Sequence, residues 1–409
     1  MTDRPLSRIR VVDLTRVLAG PLAAQNLGDM GAEVIKIERP KVGDDARTFG
    51  APYLVDANGK PSNNNAFFLS ANRNKKSVTL NLADAAGQQV LRELIATADV
   101  FMENYKVGDL ARYGLDYESL KADNPRLIYC SITGYGQDGP YARRPGYDAI
   151  FQGECGLMAS TGIPDGKPGA GPMKVGPSIS DILTSLTATS AILAALYERD
   201  ANGGGGQHID ISLLDSSISA MSHYAQIYLT GREAPPRRGT QGNGGMPASM
   251  FPTSDRPMMI TAGNQVQYVR LCEAIGRPDL VTDPRFVDNL SRVRFRDELT
   301  EEFNAIFEQK PRAYWLELLD RAGVPSGPIN SLAETFADPH VKHRGMEVEA
   351  DHGLGQRISL MRNPIRYSGT PLDTYAAPPL LGQHTDAVLM DILGYDSEKL
   401  AELKRAGTV

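Results

Sequence analysis

Apolar runs alternate with helical patterns through the first half of the chain. Residues 9–14 (IRVVDL) and 33–38 (EVIKIE) are short apolar runs, and the stretch between them has helical spacing that ends at Gly31. The pattern continues with a helix over 85–96 and with strands over 77–82, 100–103, 127–132 and 208–213. Strands that alternate with helices form parallel sheets with crossover helices, so the sequence predicts an α/β fold.

Glycine- and proline-rich turns interrupt this pattern from about residue 225. A short apolar strand over 258–262, a helix over 266–275 and amphipathic helices within 292–321 follow, and Trp315 has the apolar spacing of a core residue. At 409 residues the chain is long enough for two domains. We expect a smaller α+β domain over 223–324 and a large domain built from 1–222 and 325–409.

The longest apolar run, 182–197, follows directly after Ser180 and Asp181. Ser180 is a favourable N-cap, and an acid in the first turn suits the positive end of the helix dipole. Most first-turn aspartates only help to start a helix, so the local pattern leaves a structural and a catalytic role for Asp181 open. The run contains Thr and Ser and is short for a membrane span, which predicts a buried core helix.

Composition and charge are those of a globular protein, with 41% hydrophobic and 22% charged residues and a net charge of -6. A net negative chain has no general reason to bind nucleic acid or an acidic membrane, and we expect neither partner. Cys130, Cys155 and Cys272 are far apart and form no CxxC motif, which fits a reducing compartment. The N-terminal segment lacks the apolar stretch of a signal peptide, so a cytoplasmic location is expected.

Several common binding and catalytic motifs do not occur in the sequence. The turn after the first strand reads TRVLAGP rather than GxGxxG, and neither a GxxxxGK[ST] loop nor a GxSxG elbow is found. His340, His343 and His352 are spaced by three and nine residues, unlike the i, i+4 histidine pairs that bind zinc on a helix. We therefore expect no metal.

Polar and basic residues stand beside two of the predicted strands. Residues 42–65 are rich in Gly, Pro and Asn, which predicts a long loop, and 72–76 (NRNKK) directly precede the strand over 77–82. Asn104, Lys106 and Arg112 follow the strand over 100–103, at the end where open α/β sheets bind ligands. These donors fit a phosphate-bearing ligand, and a solvated basic turn fits them equally well.

Six phrases, in order along the whole chain, are those of one family: RVVDLTRVLAGPLAAQNLGDMGAEVIKIERP, FFLSANRNKKSVTLNL, the stretch from ADVFMENYKVGDLARYG to GECGLMASTG, SDILTSLTATSAILAALYER, GQHIDISLLD and APPLLGQHTDAVL. They resemble the class III CoA-transferases, the family of formyl-CoA transferase and carnitine CoA-transferase, which also contains α-methylacyl-CoA racemase. The resemblance implies a Rossmann-like large domain, an interlocked homodimer, coenzyme A or acyl-CoA as substrate and no metal.

The resemblance also implies a covalent mechanism centred on Asp181. The aspartate attacks the thioester of a donor acyl-CoA, forms a mixed anhydride, and then becomes an aspartyl-CoA thioester that an acceptor carboxylate attacks. A carboxylate is ordinarily ionised at neutral pH, and the helix dipole is expected to keep Asp181 in that state. The loop QGNGGMP, with Gly242, Gly244 and Gly245, is the candidate to hold the developing oxyanion.

Further site residues follow from the resemblance, position by position. Tyr147 and Asp148 match a pair near the reacting carbonyl. Residues that match CoA contacts come from four segments: Val17 and Leu18 along the pantetheine, Arg39 at the adenine and phosphate end, Ala71, Asn74 and Lys75 in the nucleotide loop, and Asn104, Tyr105 and Arg112 at the next strand exit.

Two departures from the family pattern narrow the expected reaction. Formyl-CoA transferases carry Gln where Leu18 stands and four glycines where this chain has GNGG, which disfavours formyl and oxalate groups. Racemases carry His where Tyr147 stands, and a phenol with a pKa of about 10 is a poor substitute. We expect CoA transfer between small carboxylic acids, including dicarboxylates such as succinate. A 2-methylacyl-CoA racemase and a CoA-binding protein without turnover are the alternatives.

Overall fold

A computed structural model describes residues 4–242 and 244–409. Its strands, in chain order, are β1 (Arg10–Asp13), β2 (Glu33–Glu38), β3 (Tyr53–Val55), β4 (Pro61–Asn65), β5 (Lys75–Thr79), β6 (Val100–Glu103), β7 (Ile128–Thr133), β8 (Gly162–Ile163), β9 (Gly171–Pro172), β10 (Gln207–Ser212), β11 (Ala248–Phe251), β12 (Met258–Thr261), β13 (Ser326–Pro328), β14 (Glu347–His352) and β15 (Gln356–Met361).

The α-helices are α1 (Ala19–Asp29), α2 (Ala66–Ala71), α3 (Ala85–Ala96), α4 (Tyr117–Leu120), α5 (Asp148–Glu154), α6 (Leu157–Ser160), α7 (Ile179–Ala201), α8 (Leu213–Ala220), α9 (Ser222–Gly231), α10 (Gln265–Ala274), α11 (Asp279–Thr282), α12 (Asn289–Arg294), α13 (Arg296–Phe307), α14 (Arg312–Arg321), α15 (Leu332–Ala337), α16 (Pro339–His343), α17 (Thr385–Leu393) and α18 (Ser397–Ala406). Short 3-10 helices cover Asp45–Thr48 and Ala111–Tyr113.

The described chain divides into two compact units. The first contains the residues up to Gly156 together with Val175–Ala225 and His340–Val409, and the second contains Leu157–Lys174 and Gln226–Pro339. The predicted domains differ from these units at three places, of which the smallest is 223–225, part of the first unit. Residues 325–339 belong to the second unit because β13 pairs with β12, and 157–174 belong there because Gly239 N donates to Gly162 O (3.0 Å).

A parallel sheet of six strands forms the centre of the first unit, in the order β10-β7-β6-β1-β2-β5. This confirms the predicted α/β class. The chain builds outward from β1 through β2 to β5 and then returns to the other side of β1 with β6. The order therefore reverses between β1 and β6, and such a switch point is where open α/β sheets form a crevice outside the carboxyl ends of their strands.

Both faces of this sheet are buried, because successive residues along each strand point to opposite sides. Val12 and Phe101 pack on one face in a core that includes residues of α3, α17 and α18. Val11 and Met102 pack on the other face in a core that includes residues of α1 and α7. The apolar runs that predicted the strands are thus strands covered on two sides.

Helix α7 is long and apolar enough to cross a membrane by length and composition alone. Its most apolar stretch is 44% buried inside the protein, where Ala188 and Ile192 are fully enclosed. The predicted role of the 182–197 run as a core helix agrees with this packing.

Two local predictions near the sheet edge were wrong. The stretch 42–65, predicted as a loop, contains the antiparallel pair β3 and β4 and the 3-10 helix Asp45–Thr48. The strand predicted over 77–82 instead spans Lys75–Thr79, because it pairs with β2, whose last residue Glu38 lies opposite Thr79. Lys75 and Lys76 therefore belong to the strand and not to a loop before it.

The second unit has an antiparallel sheet of three strands, β11-β12-β13, and an aromatic core. Phe251 and Phe303 pack edge-on at 5.8 Å, and Trp315 packs edge-on against Phe307 at 5.1 Å. The Trp315 indole N–H donates to Phe307 O at 2.8 Å. The prediction that Trp315 is a core residue is confirmed.

The C-terminal phrase PPLLGQHTD covers the exposed edge of β5. His384 N donates to Ser77 O (2.9 Å), Ser77 N donates to His384 Nδ1 (3.1 Å), and Thr79 N donates to Thr385 Oγ1 (3.1 Å). An uncovered edge strand would leave these backbone groups open to pairing with other chains. His384 must be neutral to accept this bond, and burial, followed by the charge of Lys76, lowers its pKa.

We predict that His384→Ala lowers the free energy of unfolding by about 1–3 kcal/mol, because it leaves the buried Ser77 N–H without an acceptor. Urea denaturation at pH 7.5 measures the change. The exposed His343→Ala is the control and should change it by less than about 0.5 kcal/mol.

The same pair of variants has a pH signature. The pKa of His384 is lowered in the folded state. The contribution of His384 to the free energy of unfolding is therefore present above the unfolded pKa of about 6.5 and is lost as the pH falls below that value. The gap between wild type and His384→Ala should therefore narrow at acidic pH. A gap that widens below pH 6.5 would contradict the assignment of a neutral acceptor.

Candidate active site

A cleft of about 240 Å³ opens at the switch point of the six-stranded sheet. Three strand exits line it: the turn from β1 to α1, the segment after β6, and the loop from β7 to α5. Its lining includes Arg16, Val17, Leu18, Ala19, Asp45, Asn104, Tyr105, Lys106, Val107, Thr133, Gly134, Arg143, Arg144, Tyr147, Asp181 and Leu213. A second cleft of about 190 Å³ shares Arg16 and Tyr105 with the first and is also lined by Arg39 and Tyr113.

The turn from β1 to α1 is tightly clamped. The Asn104 side chain accepts from Arg16 N (2.9 Å) and donates to Arg16 O (2.8 Å), while Val17 N donates to Asp44 Oδ1 (3.0 Å). Val17 has a φ of 73°, in the left-handed region that a β-branched residue rarely adopts. Such backbone strain persists only where surrounding contacts fix it, and it is frequent at functional sites.

Buried ion pairs lie beneath this turn. Lys75 Nζ binds Asp13 Oδ2 at 2.9 Å, and Lys36 Nζ binds Asp44 Oδ2 at 2.8 Å, with every one of these side chains at most 1% exposed. Lys36 Nζ also donates to Thr15 O in the turn itself (2.9 Å). We call these four side chains the turn network.

The structure does not support a nucleotide contact through the side chain of Lys75. Its three donors are used by Asp13, by Pro21 O (2.7 Å) and by Asn72 Oδ1 (2.9 Å), and the side chain is fully buried. Burial is the main cause that lowers the pKa of Lys75 to about 8. Lys75 therefore stabilises the turn.

Two neighbours of Lys75 are also structural. Ala71 is fully buried, and the Asn74 amide donates to Asp29 Oδ1 (2.8 Å) and accepts from Ala376 N (2.7 Å). The side chains of Ala71, Asn74 and Lys75, which were predicted to contact the nucleotide, are thus packed or hydrogen-bonded within the fold. The physical reason is that this stretch continues directly into β5.

Other predicted CoA contacts do come together around the clefts. Val17, Leu18, Asn104 and Tyr105 line the first cleft, and Arg39 lines the second. Arg112 is exposed and stacks over the Tyr113 ring at 4.7 Å, outside the lining of both clefts. The prediction for Arg112 gains no support from this placement.

Asp181 lies in the first turn of α7 and faces the first cleft. The backbone N–H of Ala19, the first residue of α1, lies beside its carboxylate and lowers its pKa. The clamped turn after β1 therefore presents a donor to the carboxylate that the sequence singled out.

The start of α7 differs from the prediction that Ser180 is its N-cap. The helix begins at Ile179, and Ser180 is a buried residue within it whose hydroxyl has no hydrogen-bond partner among the described residues. The cap comes from another helix, since Asp148 Oδ1 accepts from Ser180 N at 2.8 Å. Gln152 Nε2 donates to Asp148 Oδ2 at 2.7 Å and completes this arrangement.

The expectation that Asp181 is fully ionised at neutral pH was wrong. Burial, followed by repulsion from the Asp148 carboxylate, raises the pKa of Asp181 to about 7, although the Ala19 N–H lowers it. The helix dipole favours the anion but does not offset the loss of solvent and the neighbouring negative charge. With a pKa of about 7, Asp181 is divided between its two protonation states at pH 7.

Tyr147 and Asp148, predicted as a pair near the reacting carbonyl, have different surroundings. Tyr147 is 69% exposed and lines the first cleft. Asp148 is buried, belongs to α5 and is engaged by Ser180 and Gln152 rather than lining the cleft. Asp148 therefore acts on the site through Asp181 and the start of α7.

The predicted glycine loop belongs to the second unit. Gly245 is packed against Gly263 so closely that an added Cβ would lie 2.6 Å from the Gly263 Cα, which explains the glycine by packing. A Cβ added at Gly244 would meet no atom within 4 Å, and Asn243 lies outside the described residues. An oxyanion role for Gly244 and Gly245 stays a prediction.

Four basic residues of the first cleft were not singled out as a group from the sequence: Arg16, Lys106, Arg143 and Arg144. Arg16 pairs with Asp45 (3.0 Å) and stacks over Tyr105 (5.1 Å). In the sequence, the adjacent arginines of YARRPGYD follow a predicted strand, and this position could have indicated Arg143 and Arg144 as site residues. Among the residues with described positions, no group of three or more His, Cys, Asp or Glu side chains could hold a metal ion.

Comparison with known proteins gives a consistent result. Residues 6–385 match the family described as CoA-transferase family III. Human succinyl-CoA:glutarate CoA-transferase is 41% identical over 406 residues, covering 99% of this chain and 90% of the relative. A succinate–glutarate CoA-transferase of Agrobacterium fabrum is 42% identical over 96% of this chain and 98% of its own length. A crystal structure of a CAIB/BAIF family protein from Brucella suis has a TM-score of 0.84 and 42% identity, covering 95% of this chain and 100% of that one.

We predict that Asp148→Asn lowers the pKa of Asp181 below about 7, because it removes the neighbouring charge while an amide oxygen can still accept from Ser180 N. Carboxyl-selective ¹³C NMR titration measures the pKa, with the Asp181 signal assigned by its loss in Asp181→Asn. The control, Asp386→Asn, removes an exposed first-turn acid of α17 and should leave the titration unchanged. An unaltered Asp181 titration in Asp148→Asn would contradict this electrostatic coupling.

Proposed function

The chain belongs to CoA-transferase family III, and we propose that this enzyme moves CoA between dicarboxylic acids through covalent intermediates on Asp181. The observation that carries the proposal is the position of Asp181 in the first cleft, within hydrogen-bonding reach of the Ala19 N–H. A half-buried carboxylate beside a backbone N–H donor is suited to nucleophilic attack.

The reaction is proposed to proceed through successive acyl transfers, in each of which one acyl bond forms and another breaks. The ionised Asp181 oxygen attacks the thioester carbonyl, and the carbon–sulfur bond breaks to give a mixed anhydride and CoA thiolate. The thiolate then attacks the aspartyl carbonyl, which releases the donor acid and leaves an aspartyl-CoA thioester. The acceptor carboxylate attacks this thioester, which releases CoA thiolate and forms a second mixed anhydride. The thiolate then attacks the acceptor carbonyl, which gives the new acyl-CoA and restores the Asp181 carboxylate.

The Ala19 N–H is proposed to act during these steps by holding one Asp181 oxygen while the other reacts. Attack needs the ionised carboxylate, and burial together with the Asp148 charge raises the pKa of Asp181 to about 7. The value of kcat/KM for the acyl-CoA should therefore fall as the pH drops below 7, since this parameter reports ionisations of the free enzyme.

Coenzyme A is proposed to span both clefts, which together follow the carboxyl ends of the strands. The pantetheine would lie along Val17 and Leu18, where the strained turn presents its backbone. The nucleotide end would lie in the second cleft, where Arg39 is half exposed and pairs with Asp45 at 2.7 Å. Arginine donors suit phosphates, and they are supplied here by Arg39 and Arg16.

Dicarboxylic substrates are proposed because the relatives named above are described as acting on succinyl-CoA, succinate and glutarate. The basic lining of the first cleft is consistent with such substrates. Leu18 stands where formyl-CoA transferases carry Gln, which disfavours formyl transfer. Tyr147 stands where racemases carry His, which disfavours racemisation.

An interlocked homodimer in the cytoplasm is part of the same proposal. Apolar side chains of the first unit are exposed on two consecutive helices: Leu186 of α7 and Ile218 of α8. A second copy of the chain would cover them, since monomers seldom leave such surface exposed in a large patch. Among the described residues, no disulfide joins Cys130, Cys155 or Cys272, which fits a reducing compartment.

The proposal predicts transfer from succinyl-CoA to glutarate by the purified protein. New thioesters are followed by mass spectrometry across a panel of acyl-CoA donors and free acids, with oxalate and formate as comparison acceptors. Transfer among dicarboxylates above the comparison acids is the expected result. Absence of transfer in every pairing, together with α-deuterium exchange in a 2-methylacyl-CoA, would overturn the proposal in favour of a racemase.

The second prediction concerns Asp181→Ala, which should reduce kcat at least about a thousand-fold because the nucleophile is removed. Calorimetric binding of CoA and the far-UV circular dichroism spectrum should be retained. Asp215→Ala removes an exposed first-turn acid of α8 and is the matched control that should keep activity. Substantial activity in Asp181→Ala would show that the nucleophile is assigned wrongly.

A further inference from the structure

Two adjacent arginines line the first cleft at the side formed by the loop between β7 and α5. Arg143 and Arg144 both belong to this lining, together with Tyr147 and Asp181. Neither guanidinium forms an ion pair with a carboxylate in the part of the chain that the structure describes, whereas Arg16 in the same cleft is paired with Asp45. The loop therefore brings uncompensated positive charge to the cleft that contains the nucleophile.

The loop that carries these arginines is fixed by aromatic packing. The Phe151 ring of α5 lies against Gly134 and Gly146, and a Cβ at either glycine would collide with the ring. Tyr135 packs edge-on against both Phe151 (5.2 Å) and Tyr141 (5.7 Å). A loop held at both ends against one buried ring can place its side chains reproducibly.

Arg144 is the better oriented of the two arginines. Its guanidinium carbon lies over the Tyr141 ring at 3.6 Å from the centroid, and Arg144 N donates to Tyr141 O at 2.8 Å. Stacking uses the face of the guanidinium and leaves the N–H donors at its edge available for a planar carboxylate. A stacked arginine is thus a preformed fork for bidentate binding.

We propose that Arg144 binds the remote carboxylate of a dicarboxylic substrate while the reacting carbonyl of that substrate is held at Asp181. Arg143 contributes positive potential beside it. This inference rests on the proposed function and specifies how the site selects its substrate class. The remote carboxylate keeps its charge throughout the transfer, so the interaction serves substrate and transition state alike and lowers KM rather than raising kcat.

The test compares acceptors that differ only in the remote group: glutarate and pentanoate, with succinyl-CoA as donor. In a double-displacement reaction kcat/KM for an acceptor reports its own half-reaction, so the donor does not mask the effect. Arg144→Met should lower kcat/KM for glutarate by about 10- to 100-fold, mainly through KM, and change the value for pentanoate by less than about 2-fold. Arg144→Lys should recover part of the loss, because charge returns without the fork.

Arg126→Met is the matched control. Arg126 is a surface arginine paired with Asp200 at 2.7 Å, and it precedes β7 at the opposite end of the strand from the cleft. Its removal takes one positive charge from the same unit and should alter neither acceptor. Arg143→Met should show a smaller loss for glutarate than Arg144→Met.

The outcomes separate this inference from the proposed function. Equal losses for glutarate and pentanoate in Arg144→Met would overturn the role of Arg144 and leave dicarboxylate transfer intact. A wild-type enzyme that prefers pentanoate, or transfers to no dicarboxylate, would overturn both. If circular dichroism shows that Arg144→Met is unfolded, the same acceptor ratio measured in Arg144→Gln and Arg144→Lys decides the question.

Discussion

The turn between β1 and α1 is the element on which the cleft depends most. Its backbone supplies the Ala19 N–H that meets Asp181, and its residue Val17 is held in the left-handed region. The turn network, Lys75 with Asp13 and Lys36 with Asp44, supports it from below with fully buried charges. Removing one member of such a pair leaves an uncompensated buried charge, at a cost of about 3–5 kcal/mol. The buried charges of the turn network therefore define the shape of the site without contacting a ligand.

The acidity of Asp181 and the start of α7 are coupled through one carboxylate. Asp148 accepts from Ser180 N and so fixes the first turn of α7, and its charge also raises the pKa of Asp181. The same residue that fixes the start of α7 thus makes Asp181 easier to protonate. In the proposed mechanism a partly protonated Asp181 must lose its proton before attack, which links the approach of the substrate to the ionisation of Asp181.

The large sheet could be predicted because its strands are apolar on both faces, and the bounds predicted for β2, β6 and α3 are those observed. The hairpin β3-β4 could not be predicted, since the Asn-rich residues 61–65 form a strand only by pairing with β3. Asp181 was singled out from the sequence, whereas the contact of Asp148 with the start of α7 and the raised pKa of Asp181 depend on a helix distant in sequence. The buried partners of the Lys75 side chain could not be predicted for the same reason, because a basic residue at a strand end can face a ligand or a buried acid. Only the fold decides between them.

The covalent role of Asp181 is most directly tested by mass spectrometry of the enzyme after incubation with succinyl-CoA and no acceptor. The account predicts that the peptide containing Asp181 carries CoA as a thioester, and that hydroxylamine converts the same side chain to a hydroxamate. Asp181→Asn should show neither product. An enzyme that transfers CoA to glutarate while Asp181 remains unmodified under both conditions would contradict the account.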